Sequence, residues 1–177
     1  MKILITGVQN AIEESVVKIA IERLQGRARF RVLSFSDFVD TEESATRELN
    51  LLKNTRKKIT DAIKMRMLKS GASDNVIING YFTVRGRLGF FPVISREVVE
   101  TFSPDMIVSI SVDPVALEGK LDNKDEFIKW QDVERSYAIT LGAIAGSGMK
   151  LIHCRLDESR KAADELYGLL KNLVVDK

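Results

Sequence analysis

Hydrophobic and polar positions alternate between two textures along this chain. Short unbroken apolar runs are separated by longer stretches in which apolar residues recur every three or four positions. The first texture predicts buried strands and the second amphipathic helices. Strands are expected over Lys2–Thr6, Phe30–Phe35, Asn75–Asn79, Met106–Val112 and Lys150–His153. Helices are expected over Ala11–Leu24, Thr41–Lys69, Ser95–Phe102, Phe127–Ala145 and Ser159–Leu173. Ile12, Val16, Ile19, Ala20 and Leu24 make the apolar stripe of the first helix; Leu49, Leu52, Ile59, Ile63 and Met67 make that of the second. Pro104 follows the third helix, and Gly146 stands where the fourth must end. Strands alternating with helices predict an α/β domain with about five parallel strands, and no repeat or linker divides residues 1–177.

Composition alters this picture little. Hydrophobic residues at 45% and charged residues at 29% suit a globular protein. No apolar run approaches the ~20 residues of a membrane span, and Met1 leads directly into a strand pattern, so neither a membrane partner nor a signal segment is expected. The lone Cys154 excludes an internal disulfide and points to a reducing cytoplasm. A net charge of +2 is too small to argue for nucleic acid.

The first strand-to-helix turn, "TGVQNAIEES", is where an open parallel sheet commonly binds a ligand. A phosphate loop there reads Gly-x-x-x-x-Gly-Lys-Ser/Thr: backbone N–H groups cradle phosphate, the Lys reaches it, and the hydroxyl holds magnesium. Counted from Gly7, this chain offers Ile12, Glu13 and Glu14 in the last three places. Replacing Lys by Glu turns attraction into repulsion, at about 4 kcal/mol per charge pair near 4 Å and an effective dielectric of 20. The same residues make sense as structure. Asn10 can cap the helix with Glu13 completing a capping-box spacing, and Glu13 and Glu14 complement the helix dipole. The other reading is a shifted phosphate site using Thr6, Gly7, Asn10 and Ser15.

Four segments carry a resemblance to the archaeal type of adenylate kinase. They are "KILITGV" at the start, "VLSFSDF" at 32–38, the stretch "NVIINGYFTVRGRLGFFPVISREVVETFSPDMIVSISVDP" at 75–114, and "RSYAITLGAIAGSGMKLI" at 135–152. The resemblance implies a P-loop kinase fold: three layers, α/β/α, with a five-stranded parallel sheet in the order 2-3-1-4-5. It also implies a homo-oligomer, commonly a trimer. On the monophosphate side, the resemblance places Arg47 at an AMP-contacting position, Arg85 at the arginine after the third strand and Arg135 at the arginine opening the penultimate helix; Asp37, also carried over as nucleotide-binding, and Phe38 match the family too, which implies AMP as a ligand. On the donor side the chain departs from the family. The phosphate loop is changed to a degenerate Walker A, the usual aspartate is Asn79, and the usual histidine is Tyr81. The lid is reduced to "LEGKLDNKDEF", without arginine. A lid arginine stabilises charge on the transferring phosphoryl group, so ATP, magnesium and catalysis are all disfavoured.

Other candidates have simpler explanations. "KNTRKK" and "KMRMLK" within Lys53–Lys69 form a basic helix that could meet RNA phosphates, but the interleaved aromatics of an RNA platform are missing and a solvated face is favoured. His153 and Cys154 have no metal-ligand spacing, so no metal and no catalytic residue is assigned. Trp130 and Phe127 share a helix face suited to packing on the core or a neighbouring subunit. The expectation is thus an adenylate-kinase-like protein without kinase activity that binds a nucleoside monophosphate or a protein partner. The alternatives are a nucleoside monophosphate kinase with a rebuilt donor site, and an RNA- or ribosome-associated protein.

Overall fold

The computed structural model describes residues 1–8, 12–24, 28–35, 48–69, 75–117, 123–155 and 157–175. Five strands form one parallel sheet: β1 (Lys2–Thr6), β2 (Phe30–Ser34), β3 (Asn75–Gly80), β6 (Met106–Val112) and β7 (Gly148–Cys154). Their order is β2-β3-β1-β6-β7, which is 2-3-1-4-5 when only the strands of this sheet are counted. The central strands are buried on both faces, as their uninterrupted apolar runs require. Thr6, the last residue of β1, lies level with Gly80 at the end of β3 on one side and with Ser109, midway along β6, on the other.

Helices cover both faces. On one, Val16, Val17 and Ala20 of α1 (Glu13–Arg23) and Ala163, Leu166 and Leu170 of α5 (Ser159–Val175) pack on Ile3, Ile5, Ile77 and Val108. On the other, Ile59 and Ile63 of α2 (Glu48–Lys69), Val98, Val99 and Phe102 of α3 (Arg96–Phe102), and Ala138 and Leu141 of α4 (Lys124–Ala145) join Leu4, Ile78 and Ile107. Each large side chain so buried contributes roughly 1.5–3 kcal/mol of transfer free energy. Gly146 ends α4 in the left-handed region at φ 64, the conformation that glycine adopts without a Cβ penalty. No described helix is long and apolar enough to cross a membrane.

Three local expectations change. The first helix begins at Glu13, with Ile12 in the cap position and no side-chain cap, whereas an Asn10–Glu13 capping box would start it earlier. Asn10 itself lies outside the described residues, as does 41–47 of the expected second helix. The fourth helix starts at Lys124, three residues before Phe127, because Asn123 caps it. Finally, an antiparallel hairpin, β4 (Thr83–Gly86) and β5 (Gly89–Pro92), occupies a stretch for which no strand was expected.

Candidate functional site

Two buried glutamates dominate the carboxyl edge of the sheet. Glu134 projects from α4 at 1% exposure and Glu13 from the first turn of α1 at 3%. Gln131, Glu134, Ala138 and Leu141 share the buried stripe of α4, so the helix that packs its apolar residues on the sheet carries Glu134 inward with them. There the carboxylate collects four donors. Oε1 accepts from the Thr6 hydroxyl and the Phe82 N–H. Oε2 accepts from the Thr83 hydroxyl and, at 2.8 Å, the Thr83 N–H. The Trp130 indole N–H donates to the same Thr83 hydroxyl at 3.1 Å. Burial pushes the Glu134 carboxyl up to about 7, against the downward pull of these bonds. The two N–H donors, one on each oxygen, and the two hydroxyls favour the ionised form and so oppose the effect of burial.

Glu13 is held differently. Gly7 follows β1, and a Cβ added there would lie 3.1 Å from the Glu13 Cβ and 3.1 Å from the Ile110 carbonyl. Glycine at this turn therefore lets the Glu13 side chain lie against the strand end. One carboxylate oxygen takes a hydrogen bond from Glu13's own backbone N–H. The other, Oε2, is buried without a hydrogen-bond partner. Desolvation drives this carboxyl up to about 7, with the negative charges of Glu14 and Glu134 adding to the rise. With Glu134 committed to four donors, Glu13 is the member of the pair suited to take a proton.

The positions where the resemblance expects aspartate and histidine complete the cluster. Asn79 is 2% exposed and Tyr81 5% exposed, and neither Asn79 Oδ1 nor the Tyr81 hydroxyl has a hydrogen-bond partner. Asn79 stands between Ile5 and Ser34 in the sheet, on the face that α1 covers. The Ser34 hydroxyl donates to Glu14 at 3.1 Å, tying the first turn of α1 to that edge. Burial, together with Glu14 and Glu13, pushes the Tyr81 hydroxyl up to about 12. Among the described residues no Lys or Arg pairs with Glu13, Glu14 or Glu134.

The expected nucleotide residues are dispersed around this cluster. Arg85, on β4, pairs with Glu126 at 2.5 Å, fastening the hairpin to the start of α4. Arg135 pairs with Asp132 at 2.7 Å on the same helix. Glu126 and Arg135 are nine positions apart on α4, which is about 13 Å along the axis and half a turn around it. The two guanidinium groups are thus anchored at separate points. Ser15 is exposed on α1, while Arg47, Asp37, Asn10 and Phe38 lie outside the described residues, as does 118–122 of the expected lid. Trp130 packs on Phe90 of β5 at 6.4 Å between ring centroids, so the aromatic face of α4 meets the hairpin. His153 Nδ1 is 2.6 Å from the Ser111 hydroxyl, and the Cys154 thiol is buried and pushed up to about 11 by desolvation. On α2, Lys53, Arg56, Lys57 and Lys58 are exposed, opposite the buried Ile59 and Ile63.

Comparison with known proteins agrees with the fold. A family model described as an AAA domain matches residues 17–127, a stretch that begins beyond the Gly7 turn. The chain is 23% identical over 188 residues to an adenylate kinase of Thermococcus kodakarensis, covering 95% of this chain and 94% of that protein. It is 20% identical over 187 residues to an adenylate kinase of Thermoplasma volcanium, covering 97% and 100%. Among solved structures it is similar to a shikimate kinase from Bacteroides thetaiotaomicron, with a TM-score of 0.57 and 14% identity across 97% of this chain and 98% of that one. That last likeness concerns the fold alone. Taken with the sheet order, these matches give the family: the chain belongs to the AAA-domain family, as an adenylate-kinase-like protein of the P-loop nucleoside monophosphate kinase type.

Proposed function

We propose that this chain is an adenylate-kinase-like protein that does not transfer a phosphoryl group from ATP, and that its remaining ligand is a nucleoside monophosphate or a protein partner. The observation that carries this reading is Glu13, buried at the start of α1 with one oxygen turned onto its own N–H. A donor triphosphate needs the amides of that turn and a cation reaching its outer phosphates. Here a carboxylate uses the helix start and Glu134 sets a second negative charge nearby. Each carboxylate facing a phosphate costs about 4 kcal/mol near 4 Å at an effective dielectric of 20, before relaxation.

The monophosphate side keeps usable parts. Arg85 and Arg135 sit in ion pairs on partly exposed side chains. Such pairs are worth roughly 0–1 kcal/mol, so an incoming phosphate can displace the carboxylates at little cost. A homo-oligomer and a cytoplasmic setting belong to the same proposal. The full-length likeness to proteins named adenylate kinase is the reason to measure transfer directly.

A coupled assay of ADP formation with ATP, magnesium and AMP should give no rate above background, while calorimetry with AMP alone should give saturable heat. ADP formation that disappears in Arg85→Ala would establish the kinase reading instead. No heat with AMP would leave the protein partner as the ligand.

A further inference from the structure

The β4–β5 hairpin, which carries Arg85, is fixed along one ridge of α4. Within the hairpin Thr83 is paired with Pro92, Val84 with Phe91 and Arg85 with Phe90. Strand alternation therefore puts Thr83, Arg85, Phe90 and Pro92 on one face. The opposite face carries Val84, which packs on the core cluster. On α4, Glu126, Trp130 and Glu134 follow at four-residue intervals, so they rise along one ridge by about 6 Å per step. Each meets the first face of the hairpin. Glu126 pairs with Arg85, and Trp130 packs on Phe90 and donates to the Thr83 hydroxyl. Glu134 accepts from the Thr83 hydroxyl and N–H and from the Phe82 N–H. Three residues further along α4, the Tyr137 hydroxyl donates to the Ile94 carbonyl at 2.7 Å, just past β5. The base of the hairpin is thus tied to α4 on both sides. The Thr6 hydroxyl bonds the same Glu134 carboxylate, which registers the hairpin to the end of β1 as well.

These ties differ in permanence. Arg85 and Glu126 are partly exposed, so their pairing is weak and an incoming anion can exchange for the carboxylate. Phe82, Thr83 and Glu134 are buried, and breaking their contacts would leave two amides without an acceptor. We infer that Glu134, together with Trp130 at the shared Thr83 hydroxyl, is a positioning residue: it keeps the hairpin in place so that Arg85 stays aligned for a phosphate monoester after leaving Glu126. Arg85 lies two residues beyond Thr83 on the same face, so a tilt at Thr83 carries the guanidinium with it. A planar guanidinium meets phosphate oxygens in pairs, and that contact depends on its approach. The phosphate on Arg85 rests on the monophosphate reading proposed above, whereas the hold of Glu134 on the hairpin does not.

Trp130 is the one tryptophan of the chain, so its emission reports this junction directly. The test compares the full chain at pH 8 with two variants. Glu134→Gln places an amide N–H where one oxygen accepted, and the milder Thr83→Val removes the shared hydroxyl while keeping the branched shape. Both should move Trp130 emission to the red and speed hydrogen exchange of the Phe82 and Thr83 amides by about tenfold, with β3 amides at parent rates. AMP affinity by calorimetry should fall about tenfold in Glu134→Gln and about threefold in Thr83→Val, as for a hairpin correctly placed a tenth or a third of the time. In an Arg85→Lys background, whose flexible point charge depends less on the hairpin, Glu134→Gln should weaken AMP by less than about twofold. The inference is overturned if emission and exchange in both variants match the parent, or if Glu134→Gln weakens AMP as much in the Arg85→Lys background as with Arg85. A parent that takes up no AMP refutes the monophosphate reading instead, and emission and exchange then decide whether Glu134 sets the hairpin.

Discussion

Two helix starts in this molecule solve the same problem in opposite ways. At α4, Asn123 accepts from the Glu126 N–H at 3.4 Å and donates to the Glu126 side chain at 2.5 Å, all on the exposed surface. At α1, the cap position is Ile12, no side chain caps it, and a buried Glu13 turns back on its own amide. The α4 start is local and solvated. The α1 start is buried beside a second carboxylate that belongs to a helix more than a hundred residues away. A solvated cap only closes a helix. A buried one sets the charge of the whole strand edge around it, and the edge in question is where this fold places its ligand.

Removing the buried anchor should separate the two starts most sharply. Glu134→Ala leaves the Thr6 and Thr83 hydroxyls and the Phe82 and Thr83 amides without their acceptor. A loss of about 3–5 kcal/mol is expected in urea unfolding. A loss under about 1 kcal/mol would mean that water replaces the carboxylate at no cost. The buried start should also respond to pH where the exposed one does not. Glu13 rises from 4.5 to about 7 on folding, so the folded state binds its proton more tightly than the unfolded chain. Stability is therefore full below about pH 4.5, falls as pH rises toward 7, and levels off above that, a decline of about 3 kcal/mol. Glu134, raised to about 7 as well, adds a decline of the same sign, so Glu13→Gln should remove about half of the slope, and an unchanged slope would assign the proton to Glu134 alone. Smaller effects belong to the ordinary caps. Ser95 accepts from the Val98 N–H at 3.3 Å at the start of α3, and Ser95→Ala or Asn123→Ala should each cost about 1 kcal/mol, independent of pH between 5 and 8. Arg85→Ala, which breaks a partly exposed ion pair, should change stability by less than about 1 kcal/mol while weakening AMP binding.

The contrast also explains what could be read from the chain. The central strands β1, β3 and β6 were legible because each is a compact, largely apolar run, and the ends of α3 and α4 were legible because Pro104 and Gly146 act locally. The hairpin was not expected. Its two strands are four residues each and present mixed polarity, so neither periodicity stands out. Glu13 was recognised as a helix-start carboxylate, yet its burial depends on the Gly7 turn closing over it. Glu134 was missed altogether, although a signal existed. It occupies a core-facing position on the 131–134–138–141 stripe, where a charged residue demands partners. Those partners come from Thr6 at the end of β1 and from Phe82 and Thr83 at the start of β4, far apart in sequence, and no local pattern announces them.

The account rests on the Glu13 carboxylate holding the α1 start against a donor nucleotide. The most direct measurement is a crystal structure after soaking with a non-hydrolysable ATP analogue and magnesium. Glu13 should stay buried against Gly7 with no phosphate at the amides of the turn. A triphosphate seated on those amides, with Glu13 rotated out to solvent, would contradict it.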